Sequence, residues 1–172
     1  MSSKPLPPGM EKVDIAHFCR TCARFPTGVT ILTVLDGQSA PHGMTASSFT
    51  SVSLDPPLVL VCVDHRATVI EHLRSCEYFA INILSEEQHT LSERFARRGE
   101  DRFDGVAWNP GYQGLPLIPG ALASFECAVH RMVDAGDHAI LIGEVLNAEH
   151  CEGRPLVYFG SGYHKLGGTS RE

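Results

Sequence analysis

The stretch VTILTVLDGQSAPHGMTAS, residues 29–47, sets the fold. Val29 to Leu35 is rich in β-branched side chains, which pack well on a pleated surface and lose freedom in a helix. Asp36-Gly37 follows as a hairpin signal, because a type I′ turn requires positive φ at both central positions. A second strand from about Pro41 to Ser47 completes a predicted antiparallel pair.

Working outward, Phe49 to Ser53 reads as a third strand that Asp55-Pro56-Pro57 ends, and Leu58 to Val63 is apolar enough for a buried wall of the sheet. Tyr78 to Leu84, Ala121 to Val133, Ala139 to Asn147 and Leu156 to Phe159 extend the series, with Ala135-Gly136-Asp137 as a turn. Three short helices are predicted. Asp14 caps the first, on which Ile15, Phe18, Cys19 and Cys22 recur at three-to-four spacing until Phe25-Pro26-Thr27-Gly28 stops it. Thr68 to Arg74 is the second, and Ser85 to Ala96 the third, opening with the capping-box spacing Ser85-Glu86-Glu87-Gln88. Six or more strands with short inserted helices imply a mainly β chain, closed or nearly closed as an antiparallel barrel. Residues 97–120 are rich in glycine and proline and read as an ordered surface excursion. The organisation expected is a flexible arm at 1–12, one domain at 13–166 and a flexible tail at 167–172.

With 172 residues there is room for one domain, and 14 basic against 20 acidic residues leave a formal charge of −6. That balance, with basic residues scattered, lacks the footprint of a nucleic-acid binder or a polybasic membrane-surface protein. A chain of this length buries roughly 70% of its unfolded surface and needs no disulfide or metal staple. The start MSSKPLPPGM has no apolar signal-peptide core, so the six cysteines are expected as free thiols in the cytoplasm. The longest apolar run, Leu58 to Val63, is far short of the about 20 residues a membrane helix needs.

Motifs that spacing alone reveals are missing: there is no phosphate loop, no H-E-x-x-H pair and no nucleophile elbow. Gly160, Gly162 and Gly167 have the wrong spacing and context for a dinucleotide fingerprint. Cys19-x-x-Cys22 beside His17 is either a metal half-site or redox pair, or two small apolar side chains on one helix face; without a second pair at zinc-finger spacing, no metal is expected. Cys62 is expected in the core, and His42, His65, His89 and His150 facing water.

The segment MTASSFTSVSLDPP, Met44 to Pro57, holds six hydroxyl residues and one charge. It offers backbone N–H groups and hydroxyls to a polar, aromatic or phosphorylated ligand. It reads equally as an edge strand whose hydroxyls meet solvent, and composition does not separate the two.

Five blocks in order, FPTGVTILT (Phe25–Thr33), HGMTASSFTSVSLDPPLVLVCV (His42–Val63), YFAINILSEEQHTLSERFA (Tyr78–Ala96), GDHAILIGEV (Gly136–Val145) and PLVYFGSGYHKL (Pro155–Leu166), resemble the flavin reductase family. These are short NAD(P)H:flavin oxidoreductases, the reductase components of two-component flavin-dependent monooxygenases. The resemblance implies an FMN-binding split barrel, a Greek-key antiparallel β-barrel acting as a homodimer, with FMN or FAD as flavin and NADH or NADPH as electron donor. It implies that Thr45, Ala46, Ser47 and Ser48 follow the isoalloxazine edge and ribityl chain, where backbone donors tune the ring. It places Val63, Asp64 and Thr68 at the turn and helix start that hold the flavin phosphate. Here the chain reads Asp64-His65-Arg66-Ala67 where relatives often have Asn, Ser or Lys, so Asp64 must point away from a phosphate. Arg66, Arg97 and Arg98 either compensate that charge or are solvated surface groups, and Arg98 joins the expected binding set. His138, Ser161, Tyr163 and His164 match the nicotinamide side; the lesser alternative for His138 is a turn histidine that pins a hairpin, and Phe159 is expected in the core.

The implied reaction is hydride transfer from nicotinamide C4 to flavin N5, the reduced flavin then passing to a partner oxygenase. The cofactor carries that chemistry, which accounts for the missing catalytic motifs and leaves no catalytic side chain named. The alternative is a flavin-binding electron-transfer or sensor protein on the same barrel.

Overall fold

The computed structural model describes residues 7–99 and 101–167. Residues 1–6 of the predicted arm and 168–172 of the predicted tail lie outside the described residues. The elements are α1 (Ile15–Cys22), β1 (Thr27–Gly28), β2 (Thr30–Leu35), β3 (Pro41–Ala46), β4 (Thr50–Leu54), β5 (Pro57–Asp64), α2 (Ile70–Ser75) and β6 (Tyr78–Ile83). After them come α3 (His89–Ala96), β7 (Asn109–Pro110), β8 (Pro116–Leu117), β9 (Ala123–Ala135), β10 (His138–His150), β11 (Val157–Phe159) and β12 (Gly162–His164).

Seven strands form one antiparallel sheet in the order β3-β2-β6-β9-β10-β5-β4. Its two edge strands, β3 and β4, are consecutive in the chain and joined only by residues 47–49. In a flat sheet six strand spacings would part the edges by roughly 29 Å. Three linking residues span at most roughly 14 Å between the strands they join, so the sheet must roll until its edges approach. Ser48 pins the seam, accepting from Cys62 N at 2.9 Å and donating to Cys62 O at 3.2 Å. No ladder joins β3 to β4, which leaves the roll open as a split barrel. The mainly β, short-helix architecture expected from the sequence is the one observed.

The barrel interior holds Leu32, Val34, Val59, Val61, Val63, Phe79, Ile81 and Leu141, closed at one end by Ile70 and Leu73 of α2. A second cluster, with Val29, Ile31, Leu84, Phe95 and Phe103, packs on the outside of β2 beneath α3. β2 is therefore buried on both faces, which is why its sequence is an apolar run without strict alternation.

Several local expectations change. Asp36-Gly37 is not a two-residue turn: Leu35 pairs with Pro41 across a loop of residues 36–40, and the positive φ of 62° falls on Ser39. The Asp36 carboxylate wins the loop by accepting from Gln38 N and Ala40 N at 2.8 and 2.9 Å. A two-residue turn with positive φ at both positions does occur, at Gly160-Ser161 between β11 and β12. The predicted helix over 85–96 is a 3₁₀ turn at Glu86–Gln88 leading into α3, with Gln88 Oε1 accepting from Ser85 N at 3.0 Å. α2 starts at Ile70 rather than Thr68. Cys62 is half-buried instead of core, because β5 alternates and turns only Val59, Val61 and Val63 inward. Phe159 is also only half-buried.

Candidate functional site

At the end of the barrel near the start of α2, Met44 and Thr45 of β3, the turn after β5 and the end of α3 enclose a cavity of about 210 Å³. Four of the expected flavin-binding residues, Thr45, Asp64, Thr68 and Arg98, line it. The others stand nearby in other roles. Ala46 is buried and its carbonyl accepts from Thr30 Oγ1 at 2.9 Å; Val63 is fully buried in the core; Ser47 is exposed in the link to β4, and the Ser48 hydroxyl is spent on β5. What Ala46 and Val63 give the site is the position of their strands.

Asp64 does not meet the cavity as a free anion. Its carboxylate accepts from Arg66 N at 2.8 Å, from Arg66 Nε at 3.0 Å and from Arg66 Nη2 at 2.7 Å, and Arg98 stands 3.8 Å away. The Arg66 hydrogen bonds hold its pKa well below the usual carboxylate range. Arg66 therefore does what the sequence left open: it neutralises Asp64. Thr68 sits exposed in the turn that precedes the six-residue α2, where among the described residues neither its N–H nor its hydroxyl is hydrogen-bonded. An anion placed there meets Thr68, the outer face of the Arg66–Asp64 pair and Arg98, so the donors present fit a phosphate.

On the other expected face, His138 pairs with Asp64 in the β5–β10 register and its Nδ1 lies 2.7 Å from Asp137 Oδ1. Ser161, Tyr163 and His164 belong to the β11–β12 hairpin, in a separate sheet with β1. His164 Nε2 lies 3.0 Å from Phe159 O, and the Tyr163 hydroxyl lies 2.8 Å from Ser92 Oγ. None of these four lines the 210 Å³ cavity.

Sequence reasoning missed three residues. Ser92 is fully buried in α3, and its carbonyl accepts from Thr45 Oγ1 at 2.6 Å, so it ties β3 and the terminal hairpin to one helix turn. Arg102, from the surface excursion, reaches back to Gly43 O at 2.6 Å and lines the cavity. His72 stacks on His42 with ring centroids 3.9 Å apart and planes inclined by 17°. His42 and His65 are thus half-buried, with His65 3.6 Å from Asp134, rather than facing water. Asp36, His42 and His72 bring ligand atoms within 4.8 Å of one another. The near-parallel stack directs the in-plane lone pairs of the two rings side by side, so it presents a flat π surface before it presents a chelate. A buried serine on the helix face of TLSERF was the one readable signal; the others depend on long-range folding.

Residues 22–167 match the flavin reductase like domain. The solved NADH:FAD oxidoreductase SgcE6 of Streptomyces globisporus C-1027, in complex with NAD and FAD fragments, superposes with a TM-score of 0.87 at 40% identity, covering 94% of this chain and 99% of that one. The FMN reductase (NADH) SmoA of Agrobacterium fabrum is 44% identical over 149 residues, 87% of this chain and 84% of that protein. The reductase component of the flavin-dependent trigonelline monooxygenase of Acinetobacter baylyi is 44% identical over 139 residues, 81% of this chain but 45% of that longer protein. With a domain match over most of its length and relatives at this identity, the chain belongs to the flavin reductase-like family.

Proposed function

We propose that this chain oxidises NADH and reduces FMN or FAD, releasing the reduced flavin to a partner monooxygenase. The observation that carries the reading is the cavity that gathers Thr45, Asp64, Arg66, Thr68 and Arg98 from three separate elements. Bound flavin supplies the hydride acceptor, N5, that no side chain offers. The chain's part is to bind and orient. Asp64 is held ionised by Arg66 and has no proton to give near neutrality, and Asp64 in turn raises the pKa of Arg66, so this pair supplies charge balance and geometry without acid–base chemistry. His138, Ser161, Tyr163 and His164 are proposed for the nicotinamide side; in support, His138 is the cross-strand neighbour of Asp64. NADH is favoured as donor because relatives of both flavin types carry it in their names.

The same reading includes a homodimer. α1 buries none of its residues, and Ile15, Phe18, Phe25 and Leu54 are 78%, 58%, 75% and 95% exposed, an apolar surface that a second copy would cover. Six unpaired cysteines fit a reducing cytoplasmic setting. No described helix is long and apolar enough to cross a membrane. The experiment is NADH consumption followed by its absorbance, with FMN and with FAD, alongside light scattering for mass. Flavin-dependent turnover supports the reductase; tight flavin binding with no NADH consumption overturns it in favour of an electron carrier or sensor.

A further inference from the structure

We propose that Ser92 is a positioning residue for hydride transfer: through Thr45 and Tyr163 it holds the flavin wall and the nicotinamide-side hairpin at a fixed separation. This rests on the placing of flavin at Thr45 and of NADH along β12 proposed above.

Helix chemistry alone does not call for a serine at this position. Ser92 lies in the middle of the eight-residue α3 and is fully buried. Alanine would fill that space with a higher helix propensity and no polar atom to satisfy, and a helical serine otherwise bonds back to the carbonyl one turn earlier. The Ser92 hydroxyl instead meets the Tyr163 hydroxyl at 2.8 Å, 71 positions along the chain. The carbonyl of the same residue accepts from Thr45 Oγ1 at 2.6 Å.

Both strands reached in this way are edges. β3 ends the seven-stranded sheet and β12 ends the three-stranded one, so each has a single ladder to hold it. Among the described residues, the Tyr163–Ser92 bond is the one hydrogen bond that reaches β12 from outside its own sheet. The hairpin is otherwise held at its foot and its turn, where Leu156 N donates to Leu84 O at 3.0 Å and Gly160 N donates to Ala23 O at 2.9 Å. Tyr163 also packs against the cluster beneath α3, so its ring and its hydroxyl both face inward. Side chains alternate along a strand, and that seat turns His164 to the opposite face, where it is exposed. Tyr163 therefore serves the nicotinamide side as an anchor and leaves Ser161 and His164 to meet the nucleotide. On the flavin side, Phe95 and Ala96 of the next turn of α3 line the 210 Å³ cavity together with Thr45, so one short helix is the reference for both walls.

Hydride transfer depends on such a reference. The C4–H bond of the dihydronicotinamide breaks as the N5–H bond of the flavin forms, both electrons travelling with the hydrogen, and the products are NAD+ and the anionic reduced flavin. The reacting atoms must stand about 3–3.5 Å apart, and an error of about 1 Å costs roughly 100-fold in rate. A hairpin freed from Ser92 keeps its fold and loses that distance.

The test compares the wild type with Ser92→Ala and Tyr163→Phe, which remove the same bond from its two ends. FMN dissociation constants are read by flavin fluorescence. Single-turnover reduction of FMN is followed by flavin absorbance over a range of NADH concentrations, with hydrogen or deuterium at the transferred position, at a temperature where circular dichroism shows each variant folded. Both variants should lower the limiting reduction rate roughly tenfold, with FMN affinity and the half-saturating NADH concentration within roughly twofold of wild type. The slowed rate should remain sensitive to deuterium; loss of the isotope effect would move the defect to another step and overturn the proposal. A bond with only a structural role would lower Tm and leave the limiting rate of the folded variants at the wild-type value, which also overturns it. A rise in half-saturating NADH at an unchanged limiting rate would make Tyr163 a direct nucleotide contact, and a loss of FMN affinity as large as the loss of rate would make Ser92 part of the flavin wall alone; either outcome overturns it. The wild type tests the underlying reading separately: no NADH consumption with FMN or FAD ends the reductase reading, whereas wild-type turnover matched by both variants ends the positioning role alone.

Discussion

The Tyr163 hydroxyl and Ser92 Oγ lie 2.8 Å apart, joining the β11–β12 hairpin to α3, where Ser92 is fully buried. One residue of that helix also holds Thr45 through its carbonyl, so the two halves of the expected ligand site are referenced to a single turn. Tyr163→Phe removes this hydrogen bond at almost constant shape and should cost about 1 kcal/mol, lowering Tm by roughly 2–4 °C for a chain of this size. Ser92→Ala should cost a similar amount, and the double variant little more than either. Thermal unfolding of the three variants checks it; additive losses would show that the pair is not coupled.

The Asp64–Arg66 pair makes a charge prediction. Arg66 is largely exposed, so the pair adds little to folding stability, and Arg66→Ala should leave Tm nearly unchanged. It would, however, present an uncompensated carboxylate to the flavin phosphate, and FMN affinity should fall by roughly tenfold. Arg66→Ala combined with Asp64→Asn removes the repulsion and should recover most of the loss. Titration of FMN against the single and double variants decides it.

Asp36 contributes to the acid limb of stability. Its hydrogen bonds with His42 and with the N–H groups of Ala40 and Gln38 lower its pKa to about 2. A depressed carboxylate pKa contributes stability that is present above the unfolded value and is lost as pH falls through the folded one, so this contribution fades between about pH 4 and pH 2. Asp36→Asn should lower stability near neutrality and flatten the decline across that window. Urea unfolding at a series of acid pH values reads the difference; parallel curves for both proteins would refute the assignment.

The cysteines should divide by burial. Burial pushes the Cys127 thiol up to about 12 and the Cys76 thiol up to about 11, so neither forms thiolate near neutrality. Cys19, Cys22 and Cys151 are exposed. Brief alkylation of the native protein followed by peptide mass spectrometry should find label on Cys151 and little on Cys76 or Cys127, while Cys19 and Cys22, on the α1 face proposed for the second copy, should react only where that face is uncovered. Labelling of Cys127 at the rate of Cys151 would mean that the β6–β9–β10 wall opens.

How far the sequence could be read follows from which contacts are local. β2, β3, β5 and the β9–β10 hairpin announce themselves through β-branched runs and turn residues, because strand propensity and Gly136 at φ 69° act within a few positions. Asp36-Gly37 misled because a side-chain carboxylate can rearrange a loop that dipeptide statistics assign to the glycine. The short strands β1 and β12 exist only as partners of β11, and two or three residues carry no periodicity to detect. In the site, Thr45, Asp64 and Thr68 were legible by resemblance to a family, and Arg98 as a candidate counter-charge to Asp64. Arg102 and His72 were not, since each meets its partner through folding across 59 and 30 positions.

Gly143 shows the same limit in the core. No turn motif surrounds it and its φ is not positive, yet β10 has a register shift beside it, and a Cβ there would sit 2.8 Å from Cys127 Cβ and against the Phe79 ring. The requirement is for close approach, not for backbone freedom. Neither neighbour can move easily: Phe79 and Cys127 are fully buried in adjoining strands. Gly143→Ala should therefore cost about 1–3 kcal/mol by overpacking. Phe79→Leu alone opens space and should also destabilise, but in combination the added methyl fills part of it, so the double variant should be less destabilised than the sum of the two. Urea midpoints for the two single variants and the double variant measure the coupling, and simple additivity would show that Phe79 is not what excludes a side chain from position 143.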